Sequence, residues 1–90
     1  MTAVDSVNPP VAADDTLRLT VLMAPTTHAL ARLLLLLHGR GAKILDLRWR
    51  VAPLEVEGIA TLLIGLERAR QAHLQEVIVR SIDVRGIAVF

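Results

Sequence analysis

Gly39-Arg40-Gly41 is the tripeptide in this chain that looks most like a phosphate cradle, so its position matters. Phosphate-binding glycines stand before a helix, where free amide N–H groups and the positive end of the helix dipole meet the anion. Here the glycines follow the leucine run Leu33–Leu37 and His38, at the carbonyl end of the helix that run predicts. That end repels phosphate, so the glycines read as a helix stop, with the left-handed cap on Gly39 or Gly41.

The remaining candidate groups are sparse. His28, His38 and His73 show no short ligand spacing and no H-E-x-x-H arrangement. His28 lies in the first turn of a helix beside a loop, and a surface or capping role suits it better than metal or acid–base chemistry. The serines, Ser6 and Ser81, sit in no nucleophile elbow. Glu55 and Glu57 share a connector with no third group beside them. The absence of cysteine removes disulfides, thiolate metal sites and thiol catalysis. No catalytic residue, bound cofactor or metal site is expected in this chain.

Arg48 and Arg50 could meet phosphate, yet base stacking needs aromatics and the chain offers only Trp49 and Phe90. The charge is mild as well. Residues 1–15 hold Asp5, Asp14 and Asp15 without a base, and the rest carries a surplus of four positive charges. Nucleic acid is therefore not an expected partner. Neither is a membrane, because the leucine run is bounded by Arg32 and His38 and a span needs about 20 apolar residues. The start MTAVDSVNPPVAADD lacks a basic segment followed by an apolar core, so a cytoplasmic protein is expected.

Ninety residues make one small domain, for which dimerisation or a partner would add buried surface. Residues 1–15, with Pro9-Pro10 and three acids, read as a flexible acidic arm, and residues 16–90 as the domain. Leu17, Leu19, Val21 and Met23 alternate as a first strand. Ala24–Thr27 is a turn whose threonine can cap a helix. At about 100° per residue, Leu30, Leu33, Leu34 and Leu37 share one buried stripe, Leu36 flanks it, and Leu35 points nearly the opposite way.

Lys43–Ala52 alternates again, with Leu45, Leu47, Trp49 and Val51 on one face and Ile44, Asp46, Arg48 and Arg50 on the other. Pro53–Glu57 connects to Gly58–Glu67, which is apolar on both faces and so central. Arg68–Ser81 suits a second helix, with Ala69 or Ala72, Leu74, Val77, Ile78 and Ile82 inward and Val79 nearer its flank. A last strand covers Gly86–Phe90 and can begin at Val84. The order βαββαβ predicts an α+β, ferredoxin-like fold: a four-stranded antiparallel sheet with both helices on one face, and the second strand at an edge. Leu22, Leu35 and Ile44 then have no place in a two-layer core, and with Arg48 and Arg50 they are the candidate interface residues.

The run LTVLMAPTTHALARLLLLLHGRGAKI, from Leu19 to Ile44, resembles the ACT domain. It is most similar to the small subunit of acetolactate synthase, of the short single-domain isozyme II type. LQEVIVRSIDVRGIAV, from Leu74 to Val89, continues that resemblance with a helix, I-D-V and a final strand. The resemblance implies a regulatory or activating subunit that forms a homodimer and binds a large catalytic subunit. That partner would use thiamine diphosphate, Mg and FAD to condense 2-keto acids on the way to branched-chain amino acids. Effector-binding members of the family carry a glycine in the loop after the first strand, where this chain has Thr26-Thr27-His28. The departure favours a constitutive activator. A branched-chain amino acid, were one to bind, would meet Ala24, Pro25, Thr26, Thr27, His28 and Leu30. A free-standing ACT-domain amino-acid sensor acting on another enzyme is the alternative.

Overall fold

The computed structural model describes residues 15–52, 54 and 56–89; the expected acidic arm lies, but for Asp15, outside them. Six elements follow in the order β1 (Thr16–Met23), α1 (Thr27–Gly39), β2 (Lys43–Val51), β3 (Gly58–Gly65), α2 (Arg68–Val79) and β4 (Val84–Val89). The sheet runs β2-β3-β1-β4 with every neighbouring pair antiparallel. This is the ferredoxin-like α+β fold that the alternation of strand and helix periods predicts. Neither helix is long and apolar enough to cross a membrane.

The core lies between the sheet and the helices. Leu17, Leu19, Val21 and Met23 of β1, and Ala60, Leu62 and Ile64 of β3, meet Ala29, Leu33 and Leu37 of α1 and Leu74 and Ile78 of α2. Each fully buried leucine or isoleucine contributes about 1.5–3 kcal/mol relative to exposure. Leu30, Leu34 and Leu36 flank the buried line of α1, half-buried, while Leu35 is 69% exposed. The helical periodicity of the leucine run is therefore real, and Leu35 is its outward member.

Gly41, not Gly39, stops α1. Gly41 has φ +78°, its N–H donates to the His38 carbonyl at 3.1 Å, and the Ala42 N–H donates to the Leu37 carbonyl at 3.0 Å. These two bonds define a Schellman ending, with buried Ala42 closing against Leu37. The Arg70 guanidinium of α2 donates to the Arg40 carbonyl at 2.7 Å, placing a cation at the negative end of the α1 dipole. The carbonyl-end reading of Gly39-Arg40-Gly41 holds.

Four expectations need correction. Ile44 pairs with Ile64 and Asp46 with Leu63, so Leu45 is an extra, bulged residue in β2. The bulge resets the alternation: Ile44 sits on the helix side with Leu47, Trp49 and Val51, not on the helix-free face, and Leu45 leaves that set. On α2, Ala69 and Ala72 are exposed and Ile82, beyond the helix, is 91% exposed. The inward position one turn before Leu74 belongs to half-buried Gln71, whose amide donates to the Leu66 carbonyl at 3.0 Å and to the Thr16 carbonyl at 3.4 Å. Asp15 belongs to the domain, since its carbonyl accepts from the Leu66 N–H and its carboxylate from the Arg68 N–H at the start of α2. Finally, β3 ends at Gly65 and α2 at Val79, each two residues before the expected limit.

Candidate functional site: the first loop, the open edge and the helix-free face

The loop between β1 and α1 is held at three points. The Thr26 side chain caps α1 by accepting from the Ala29 N–H at 3.0 Å, as its sequence position predicts. The Thr26 N–H donates to the Ala24 carbonyl, and the Ala24 N–H donates to the Asp83 carbonyl, both at 2.9 Å. Asp83 thus ties the turn before β4 to the end of β1. Its carboxylate receives a two-pronged bond from Arg32 of α1, Nε to Oδ2 at 2.7 Å and Nη2 to Oδ1 at 3.1 Å. The Arg32 bond, with the charge of Arg32 and to a smaller degree that of His28, holds the Asp83 carboxyl below its ordinary pKa against an opposing effect of burial. The same bond raises the Arg32 guanidinium above its own.

Of the candidate effector residues, Thr26, Thr27 and His28 are exposed at the start of α1, Ala24 and Pro25 are half-buried, and Leu30 packs against the core. Residues 24–28 are consecutive along the loop and the first turn of α1, and the bonds of Asp83 to Ala24 and to Arg32 add that pair to the patch they make. Sequence reasoning missed this pair because 51 positions separate its members and neither periodicity nor motif links them. Beneath the patch, Trp49 lies on Gly58: a Cβ at Gly58 would stand 2.3 Å from the Trp49 ring and 3.0 Å from the Ala24 carbonyl oxygen. Only glycine lets the indole close over the end of the sheet.

The candidate interface residues divide between the two sides of the sheet. Leu22, Arg48 and Arg50 share the helix-free face, where Leu22 pairs with Ile59 and Arg50 pairs with Ile59 from the other side. Ile44 and Leu35 lie on the helix side. Leu36 lines the groove between α1 and α2 with Arg40, His73, Val77 and Arg80, so the opposite flank of α1 turns toward β2. Along β2 every residue is exposed or half-buried, Ile44, Leu45 and Val51 being 37–40% exposed. Among the described residues the outer side of this strand has no partner in the sheet order, so there it presents an open hydrogen-bonding edge beside an incompletely covered apolar row.

Among the described residues, no three histidine or acidic side chains come together as a metal site. Arg85 donates to the Val56 carbonyl and stands 4.0 Å from Glu57, fixing the end of the connector that follows β2.

No family model matches the chain, and no curated protein matches it in sequence. Among solved structures it is similar to the solution structure of the C-terminal domain of the MgtC protein from Mycobacterium tuberculosis. The TM-score is 0.62 at 11% sequence identity, over 83% of this chain and 84% of that one. At such identity the likeness is one of fold: that domain, like this chain, is ferredoxin-like.

Proposed function

We propose that this chain is a non-catalytic, cytoplasmic, ACT-like subunit that dimerises through β2 and activates a large acetolactate synthase catalytic subunit. The observation that carries the dimer is the β2 edge, with backbone groups along one side that no described strand pairs and the half-covered row Ile44, Leu47, Trp49 and Val51 beside them. A second copy added antiparallel would continue the sheet and bury that row together. The identity of the enzyme rests on the resemblance of Leu19–Ile44 and Leu74–Val89. The partner would supply thiamine diphosphate, Mg and FAD, and this chain would act by binding its active conformation in preference to the inactive one. A tenfold activation needs about 1.4 kcal/mol of such preference. Mixing the purified chain with the catalytic subunit from the same source tests the reading by light scattering and by pyruvate consumption. A complex and faster condensation support it; no complex with unchanged condensation refutes it.

A second reading, a free-standing amino-acid sensor, draws on the anchored β1–α1 loop. The Ala24–Asp83 bond and the Arg32 fork give the patch a fixed shape before any ligand arrives. Calorimetry with branched-chain and aromatic amino acids separates the two, since clear binding to the isolated chain favours the sensor.

A further inference from the structure

The helix-free face carries a concentration of charge that the dimer edge and the first loop do not use. Lys43, Arg48 and Arg50 of β2 and Arg18 of β1 lie on it against a single acid, Asp46. All five side chains are exposed, and none is in an ion pair among the described residues. Between them the surface is neutral. Thr20 and Thr61 pair at the centre of the sheet, with half-buried Leu22, Ile59 and Leu63 around them. Two shallow depressions of about 410 and 340 Å³ share Arg48 and Thr61 and so form one trough along β3. On the far side Gly86 and Ala88 of β4 pair with Leu22 and Thr20 and keep the surface low.

We propose that this face docks an acidic amphipathic helix of a partner protein. Arg48 and Arg50, alternate residues of one strand, stand about 6.7 Å apart along it. Carboxylates four residues apart on a helix are spaced by about 6 Å, so the two rows match. A helix is about 10 Å across, and the three gaps from β2 to β4 span about 14 Å, room for its body over Leu22, Ile59, Gly86 and Ala88. Its apolar stripe would cover the leucines and isoleucine, and its acids would meet the basic rim on the β2 side. A second copy stacked on this face would bring four bases toward four others, which Coulomb repulsion opposes. Nucleic acid would find the charge but no aromatic platform among the described residues of the face. The proposal goes beyond the acetolactate synthase reading and holds for any partner that presents such a helix.

The test is proton–nitrogen correlation NMR of the full chain, titrated with a helical peptide bearing a leucine stripe flanked by glutamates four residues apart. Its lysine-for-glutamate counterpart and oligouridine serve as comparison probes. Shifts confined to 18–22, 46–50 and 59–63 are expected with the glutamate peptide. Binding should weaken about tenfold or more in the Arg48→Glu/Arg50→Glu variant, whose circular dichroism and Tm should match the parent. If that variant fails to fold, Arg48→Gln/Arg50→Gln makes the same comparison. Absence of binding, shifts on the helix side, or equal binding of the lysine peptide overturns the proposal. So does tighter binding of oligouridine on this face, which would make it a nucleic-acid surface, or shifts on concentration alone at 18–22 of β1, away from the β2 edge, which would make the face a contact between copies.

Discussion

Replacing Gly39 and Gly41 by alanine, one at a time, should move stability in opposite directions although the two stand in the same tripeptide. Gly39 closes the last turn of α1 with negative φ, and a Cβ there meets nothing within 4 Å. Alanine at such a site restores helix propensity and narrows the unfolded ensemble, for a gain of about 0.5–1 kcal/mol. Gly41 holds φ +78°, and a Cβ there would stand 3.2 Å from Arg70 Nη1. Forcing an L-residue into that left-handed conformation costs about 1–2 kcal/mol. Displacing the Arg70 guanidinium, which holds the Arg40 carbonyl at 2.7 Å, adds to that cost. In a domain of this size each kcal/mol moves Tm by about 4–8 °C. The expected result is therefore a rise of about 2–8 °C for Gly39→Ala and a fall of at least about 4–8 °C for Gly41→Ala. Thermal melts followed by circular dichroism, paired with urea unfolding to check that the slope is unchanged, read both. Equal signs, or a neutral Gly41→Ala, would refute the Schellman ending and with it the placement of α1 against β2.

Gly58→Ala should destabilise the domain by about 1–3 kcal/mol, because the new methyl overlaps the Trp49 ring; Tm and a shift in tryptophan emission report it together. Leu35→Glu should leave unfolding stability within about 0.5 kcal/mol of the parent, as its side chain is 69% exposed, yet weaken association in sedimentation; unfolding instead would refute the helix register. Asp83, with its carboxyl pKa lowered in the folded state, contributes stability that is complete above its ordinary value near 3.8. That contribution should fade as pH falls through this value toward the lower folded pKa, and Asp83→Asn should remove this part of the acid sensitivity. Titration of the Asp83 carboxyl carbon by NMR against the same variant's melts checks it.

The elements themselves were legible because each follows a local period. Leu17 to Met23 alternates, Leu33 and Leu37 recur at one helical turn, and Thr26 stands where a cap is needed. What escaped was set by pairing between distant segments. Nothing in Lys43-Ile44-Leu45-Asp46 signals a bulge, since an unbroken alternation reads as well, and the extra residue shows only when β3 supplies the register. The partition of α2 failed for a related reason: its alanines fit a core by type, whereas Gln71 turns inward to donate to the Leu66 and Thr16 carbonyls where β3 ends and β1 begins. Arg32 and Asp83 meet only because the antiparallel partnership of β1 and β4 brings their ends together.

The breaks in strand pairing also bear on how far an assembly could grow. β2 carries its irregularity at Leu45, and β4 carries one between its pairings with Leu22 and Met23, where Arg85 is the unmatched residue. Unbroken pairing therefore runs from Asp46 to Val51 on one outer strand and only from Gly86 to Val89 on the other. The first offers about 20 Å to an incoming strand, the second about 14 Å. Endless head-to-tail growth would require the long border of one molecule to match the short border of the next. Two long borders match each other instead, and a sheet joined that way is bounded on both sides by short ones, which offer an incoming strand about a third less length.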